Sequence, residues 1–286
     1  MSERTKGIMY IILAAFCFSL MSLFVRLSGN IPSMQKSFFR NLVALLTAIF
    51  ILRKERVLAP TDKTCWRLLL LRAFFGTIGI FCNFYAIDHL PLSDANMLNK
   101  LSPFFAVILS YFLLKENVRK YQILCVLSAF VGTLFILRPG FDNIITFPAL
   151  VGLLGGMGAG TAYTFVRILS ARDVKGPFIV FFFSAFSCLA SLPFLLVEYT
   201  PMNGGQIGLL LLAGLAATGG QFAITAAYSH APAREISVYD YSQILFSSLW
   251  GILLLGEWPD LLSILGYIII FTASLLMFLK NKKAAS

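Results

Sequence analysis

Charge is what this chain has least of. Only 13% of its residues are Asp, Glu, Lys or Arg, about half the share of an ordinary soluble domain. Acids are the scarcer sign, 13 against 23 basic residues, while 58% of positions are hydrophobic. So few polar side chains cannot cover a water-exposed globule, which excludes a soluble enzyme. No polar stretch is long enough to form a separate catalytic domain. The five cysteines show no CxxC spacing, which excludes a zinc site and a disulfide framework. Cys17, Cys82, Cys125 and Cys188 sit inside apolar runs and Cys65 at the edge of one, the places of small packing residues. The run Gly155-Gly156-Met157-Gly158-Ala159-Gly160 fits no phosphate-binding fingerprint and has no following Lys-Ser/Thr. No covalent triad, metal-ligand cluster or paired-aspartate phosphoryl-transfer motif is present, so neither an enzyme nor a cofactor is expected.

Long apolar runs are what the chain does have. A helix crossing a bilayer uses about 20 apolar residues. Hydropathy places such segments near 7–27, 34–52, 67–87, 94–114, 120–138, 149–170, 177–197, 206–228, 236–255 and 261–279. They are too long for barrel strands, so the expected fold is an all-α integral membrane protein with ten transmembrane helices. The first run, Ile8 to Val25, is too long for a signal-peptide core and no small-residue cleavage site follows it.

The net charge of +10 then becomes a topology signal. With the N-terminus inside, the inner flanks hold Arg53, Lys54, Arg56, Lys63, Arg67, Lys115, Arg119, Arg172, Lys175, Arg234, Lys280 and others, and the outer loops little beyond Lys36 and Arg138. Basic residues resist translocation, so both termini are expected on the cytoplasmic side of the cell membrane. No aromatic-basic groove accompanies these charges, and no nucleic-acid partner is expected.

The chain also repeats itself. At an offset of 141, residues 66–138 match residues 207–279 at 18 of 73 positions. Leucines match cheaply here; the informative pairs are Gly79/Gly220, Phe81/Phe222, His89/His230, Pro91/Pro232 and Glu116/Glu257. The same offset links Phe24-Val25-Arg26 to Phe165-Val166-Arg167. Two units are expected, residues 1–140 and 141–286. Five spans per unit is an odd number, so the second must enter the membrane inverted, the architecture of many secondary transporters.

The sequence resembles the EamA family of the drug/metabolite transporter superfamily over essentially its whole length. The resemblance rests on Phe38-Phe39-Arg40-Asn41, Leu71-Arg72, Tyr85-Ala86, Leu90-Pro91-Leu92-Ser93-Asp94-Ala95, Ser102-Pro103 and Leu113-Leu114-Lys115-Glu116. These are echoed by Ala227-Tyr228, Ala231-Pro232-Ala233 and Leu255-Gly256-Glu257. It implies a ten-helix transporter of small organic solutes, often an exporter, and leaves the substrate open.

Polar residues inside the spans mark candidate solute contacts. In the fourth span Asn96, Asn99, Lys100 and Pro103 share one helical face, and Pro103 is expected to kink that helix. Their counterparts in the ninth span are Ser237, Asp240, Tyr241 and Ile244. Asn99, Lys100, Asp240 and Tyr241 are therefore candidate cavity residues, with Asn96 and Gln243 beside them. Lys100 suits a carboxylate or phosphate; Asp240 suits an amine or a transported proton. A purely structural Lys100–Asp240 contact, or Lys100 snorkelling to the interface, fits the same positions.

Arg26 and Arg40 fall toward outer ends of spans, Arg72 and Arg167 toward inner ends. These cations outnumber intramembrane acids, favouring an anionic or zwitterionic solute over an organic cation. Tyr163, Gln221 and Tyr239 complete the substrate-binding candidates; Tyr85, Tyr228 and Trp250 are further aromatic candidates with a polar tip. Glu116 and Glu257 close the fourth and ninth spans, suited to capping the next helix or to gating. The expected function is a secondary transporter, exporter or exchanger, working by alternating access on a small molecule in the bilayer. Protons are a candidate coupling ion, and monomer and homodimer remain open. The alternatives are a multidrug or organic-cation exporter of the same fold, a channel, and an intramembrane enzyme acting on lipid-linked groups.

Overall fold

Hydrocarbon offers the backbone no hydrogen-bond partners, so a spanning segment must satisfy its own amides and carbonyls, as a helix does. The computed structural model describes residues 2–89, 98–115, 117–137, 147–255 and 260–283, and among them the regular elements are all helical. In chain order these are α1 (Glu3–Leu27), α2 (Ser33–Glu55), α3 (Lys63–His89), α4 (Ser102–Leu114), α5 (Lys120–Leu137) and α6 (Phe147–Ser170). There follow α7 (Gly176–Val197), α8 (Gly204–His230), α9 (Ala233–Ile236), a 3₁₀ turn (Ser237–Tyr241), α10 (Ser242–Leu255) and α11 (Leu261–Lys283). Among the described residues, six of these helices, α1, α2, α3, α6, α7 and α8, are long and apolar enough to cross a membrane. They coincide with six of the predicted spans and run past them by a few residues at most ends.

Local chemistry sets several ends. Ser2 caps α1 by accepting from the Thr5 amide, and Asn203 and Gln206 form a reciprocal capping box at the start of α8. The predicted fourth and ninth spans are not continuous helices. Lys100 and Leu101 form a turn, and α4 begins only at Ser102, with Pro103 in its first turn. Pro103 therefore opens a helix rather than kinking one: its ring would collide with the carbonyl four residues back, while in a first turn its missing N–H costs nothing. The ninth span is interrupted by the 3₁₀ turn carrying Asp240 and Tyr241.

The helices pack in a reciprocal pattern. α1 lies chiefly against α8 and α3 against α6; α2 packs on α7, α5 on α11, α4 on α6 and α10 on α1. Glycines permit the closest approaches. A Cβ on Gly79 would stand 3.0 Å from the Ala159 nitrogen, and one on Gly220 would stand 2.6 Å from the Phe18 ring. Gly79 and Gly220 are 141 residues apart, and so are Phe18 and Ala159. Corresponding positions thus make corresponding contacts.

The outer surface is rich in leucine and phenylalanine, including Phe50, Phe112, Leu189 and Phe271, while the interior packs large apolar side chains such as Ile11, Leu69 and Ile224 together with alanines and buried polar groups. Ser184, Ser187 and Ser191 line a buried face of α7, where Ser187 and Thr77 of α3 share a 2.6 Å hydrogen bond. Buried hydroxyls commonly turn back on their own helix, as Thr133, Thr164 and Thr218 do toward the fourth carbonyl before them. One end of the bundle gathers polar pairs: a His230–Glu3 hydrogen bond (2.6 Å) and ion pairs of Arg4 with Glu235 (3.7 Å) and Arg172 with Asp62 (3.5 Å). At the other end Gln35 bonds to both backbone groups of Thr200 (2.9 and 3.0 Å).

Candidate functional site

The two interrupted segments meet. The Lys100 ammonium donates to Asp240 Oδ2 (3.1 Å), to Gln243 Oε1 (2.8 Å) and to the Asp240 carbonyl (3.3 Å). The Tyr241 hydroxyl donates back to the Lys100 carbonyl (3.0 Å). The Lys100 and Asp240 side chains are only 7% and 9% exposed. Lys100 lies just before the start of α4, and Asp240 in the 3₁₀ turn that runs directly into α10. Sequence spacing could not foresee that Lys100 and Tyr241, counterparts under the 141-residue offset, touch each other directly.

A second group lies beside the first. Tyr163 of α6 stacks on Tyr228 of α8, with ring centroids 4.9 Å apart and planes 13° from parallel. Asp240 is within electrostatic reach of both tyrosines, and Arg40 and Arg72 are within reach of Tyr163. Arg40 lies seven residues into α2 and Arg72 nine into α3, about 10 and 14 Å from the respective helix starts at 1.5 Å per residue. Arg72 is buried there and Arg40 half-buried, each in the first half of its helix.

Arg72 is almost fully buried, 2% exposed. Its guanidinium carbon sits 3.8 Å from the centroid of the Phe183 ring, and its Nε and Nη1 have no hydrogen-bond acceptor. Sequence reasoning noted Arg72 and Tyr228 without placing them among the substrate contacts. The signal was there for Arg72, an arginine in an apolar run with no acid at helical spacing.

The other candidates are placed more variously. Asn99 is half-buried beside Lys100, and Gln221 is buried on α8 with its Nε2 lacking an acceptor. Tyr239 is buried but faces Arg4 and Glu235 rather than Lys100. Arg167 donates to the Ser229 carbonyl (2.9 Å), tying α6 to the end of α8, and Arg26 is exposed in the last turn of α1. Trp250 donates to Ser19 (2.9 Å), and Tyr85 stacks on His89. Asn96, Glu116 and Glu257 lie outside the described residues. A cleft of about 590 Å³ opens at the ion-paired end between α1, α8 and the α6–α7 connection, lined by Tyr10, Ser170, Asp173, Lys175, Ser229 and His230 among others. Among the described residues, no three His, Cys, Asp or Glu side chains are grouped to hold a metal ion.

What this arrangement can do is hold and release charge inside an apolar bundle. The sequence profile described as the EamA-like transporter family matches twice, over residues 5–138 and 146–279. Among curated proteins, a pseudopaline exporter of Pseudomonas aeruginosa is 33% identical over 94% of this chain and 94% of its own length. An uncharacterized transporter of Helicobacter pylori is 29% identical over 96% and 94%. Solute carrier family 35 member G1 of Mus musculus is 26% identical over 88% and 73%. A crystal structure sharing 17% identity superposes with a TM-score of 0.81 over 99% of both chains, a likeness of fold.

Proposed function

Since the chain belongs to the EamA-like transporter family, we propose that it is a secondary transporter exporting or exchanging a small anionic or zwitterionic organic metabolite across the cell membrane. It is a multi-pass membrane protein and a transporter, not an enzyme. The observation that carries the finer reading is the buried Lys100–Asp240–Gln243 cluster between two helix starts, with Tyr163, Tyr228 and Arg40 beside it. A carboxylate solute competes with Asp240 for Lys100, and an amine competes with Lys100 for Asp240. Either exchange replaces one internal ion pair with another, so a charged solute enters without leaving an orphaned charge.

We read the ten spans as two inverted five-helix units, 1–140 and 141–286, that rock against each other. The reciprocal packing of α1 on α8 and α3 on α6, and the matched close approaches at Gly79 and Gly220, support this reading. Both termini are assigned to the cytoplasm. The cleft that joins Tyr10 and His230 to Lys175 puts the N-terminal end of α1 beside the basic α6–α7 connection, in keeping with basic residues on the inner face. Asp240 is also the group we assign to any coupled proton.

The test is counterflow in liposomes holding the purified protein without ATP. Liposomes preloaded with an unlabelled extract fraction of anionic metabolites are expected to accumulate labelled members of that fraction. Asp240→Asn and Lys100→Met are each expected to abolish exchange while the protein stays folded. Accumulation confined to monovalent organic cations, or full exchange by both variants, overturns the reading.

A further inference from the structure

Arginine presents five N–H donors in one plane and stays charged at any physiological pH. An intramembrane arginine therefore needs acceptors in that plane as well as a favourable face. Arg72 has the face, in the Phe183 ring 3.8 Å away. It lacks acceptors in the plane: Nε and Nη1 are both buried and unpaired among the described residues. Arg40 of α2 is within electrostatic reach and adds repulsion. Gly76, one turn further along α3, leaves the guanidinium its seat, since a Cβ there would collide with Arg72 Nη1. An intramembrane arginine that is nearly sealed, with two donors that no described residue accepts and a second cation within electrostatic reach, describes a site for an acceptor on a ligand.

We infer that Arg72, with Arg40 beside it, is the subsite that receives an oxyanion of the solute, a carboxylate or a phosphate. This rests on the transporter reading and deepens it. The anionic end of the solute lies against Arg72 and Arg40, between α2, α3 and α6. The Lys100–Asp240 pair is left to read the remainder of the molecule. Phe183 and Gly76 act as positioning residues that hold the guanidinium plane open to the ligand. Tyr163 is within electrostatic reach of both arginines and of Asp240, and we assign it to both parts of the site.

The experiment measures binding and stability in detergent, so it can fail while transport stands. Thermal unfolding of the purified full chain is followed with sodium glutamate, sodium citrate or sodium phosphate, against sodium chloride and choline chloride at equal ionic strength. At least one oxyanion is expected to raise the melting temperature of the wild type above the chloride controls. Citrate or glutamate acting alone identifies a carboxylate, and phosphate acting alone identifies a phosphate. Charge-assisted bonds of this kind imply apparent affinity lower by roughly 10- to 100-fold in Arg72→Met. Gly76→Ala, which keeps the charge and moves it, is expected to weaken binding in the same direction. Without ligand, Arg72→Met is expected to melt higher than the wild type, because an unpaired charge has been removed. Stabilisation by no oxyanion, by choline alone, or unchanged in Arg72→Met overturns the inference. So does a ligand-free Arg72→Met protein that melts lower than the wild type.

Discussion

Replacing Lys100 by Met tests the central pair most directly. The change keeps the side chain's length and removes its charge, leaving the Asp240 carboxylate and the Gln243 carbonyl without the donor that now lies 3.1 and 2.8 Å away. Both members of the ion pair are more than nine-tenths buried, so the remaining carboxylate has little water to turn to. Removing one partner of such a pair costs about 3–5 kcal/mol, whereas replacing both by apolar residues is often neutral. Lys100→Met and Asp240→Leu are therefore each expected to destabilise by about 3 kcal/mol, and the double variant by much less than their sum. The coupling energy from the cycle is expected to reach about 3 kcal/mol. Unfolding by SDS, followed by tryptophan fluorescence, supplies the four free energies. Arg172 and Asp62, paired at 3.5 Å but 45% and 54% exposed, provide the internal control, for which no measurable coupling is expected. If the losses at Lys100 and Asp240 add within about 0.5 kcal/mol, the two groups do not compensate each other, and the account of the site as an exchangeable ion pair fails.

Two further outcomes follow from the packing and from the surface. Gly160→Ala would place a Cβ 2.5 Å from the Ser102 carbonyl oxygen and 2.7 Å from Phe105 Cβ, prising α4 from α6. A loss of about 1–3 kcal/mol is expected, read as a lower melting temperature, while Gly208→Ala, with open space around it, is expected to melt as the wild type does or slightly higher. Asp62 lies outside the spanning helices, and its carboxylate is held below the usual range chiefly by the Thr64 amide, with Arg172 a lesser cause. A depressed folded value means that its contribution is present above the ordinary carboxylate range and lost as pH falls through the folded value. The melting difference between wild type and Asp62→Asn is expected to shrink as pH is lowered from about 6 to about 3; a difference that widens refutes the capping role.

Six of the spans were legible in the sequence because hydrocarbon favours apolar side chains along a crossing helix, and runs of about twenty mostly apolar positions record it. The interruptions at Lys100–Leu101 and at Ser237–Tyr241 were not legible. Helical periodicity assumes a continuous helix, and Asn96, Asn99, Lys100 and Pro103 fit one face only on that assumption. Pro103 was readable as a disturbance, but its effect depended on whether the helix ran through it or began at it. The Lys100–Asp240 contact was weighed from the repeat offset alone and needed the fold to be decided. Tyr239 shows the limit of sequence neighbourhood: one residue from Asp240, it faces Arg4 and Glu235 instead. Arg72 shows the reverse, for its isolation from acids was visible in the sequence, while only the structure revealed that no other described residue serves its buried Nε and Nη1.

Lys100 and Tyr241 touch, and they stand at matching places in the two halves of the chain. A contact between matching positions is one that an interchange of the halves would return to itself, whereas the approaches at Gly79 and Gly220 would trade places. If the halves are the inverted units proposed above, the backbone treats the two faces of the membrane alike while its centre does not. Ammonium stands opposite phenol there; opposite Arg72 the second half has Ala213, and opposite Tyr163 the first has Ser22. On the proposed reading, such a centre distinguishes one end of a solute from the other, which a centre as symmetric as the backbone would not.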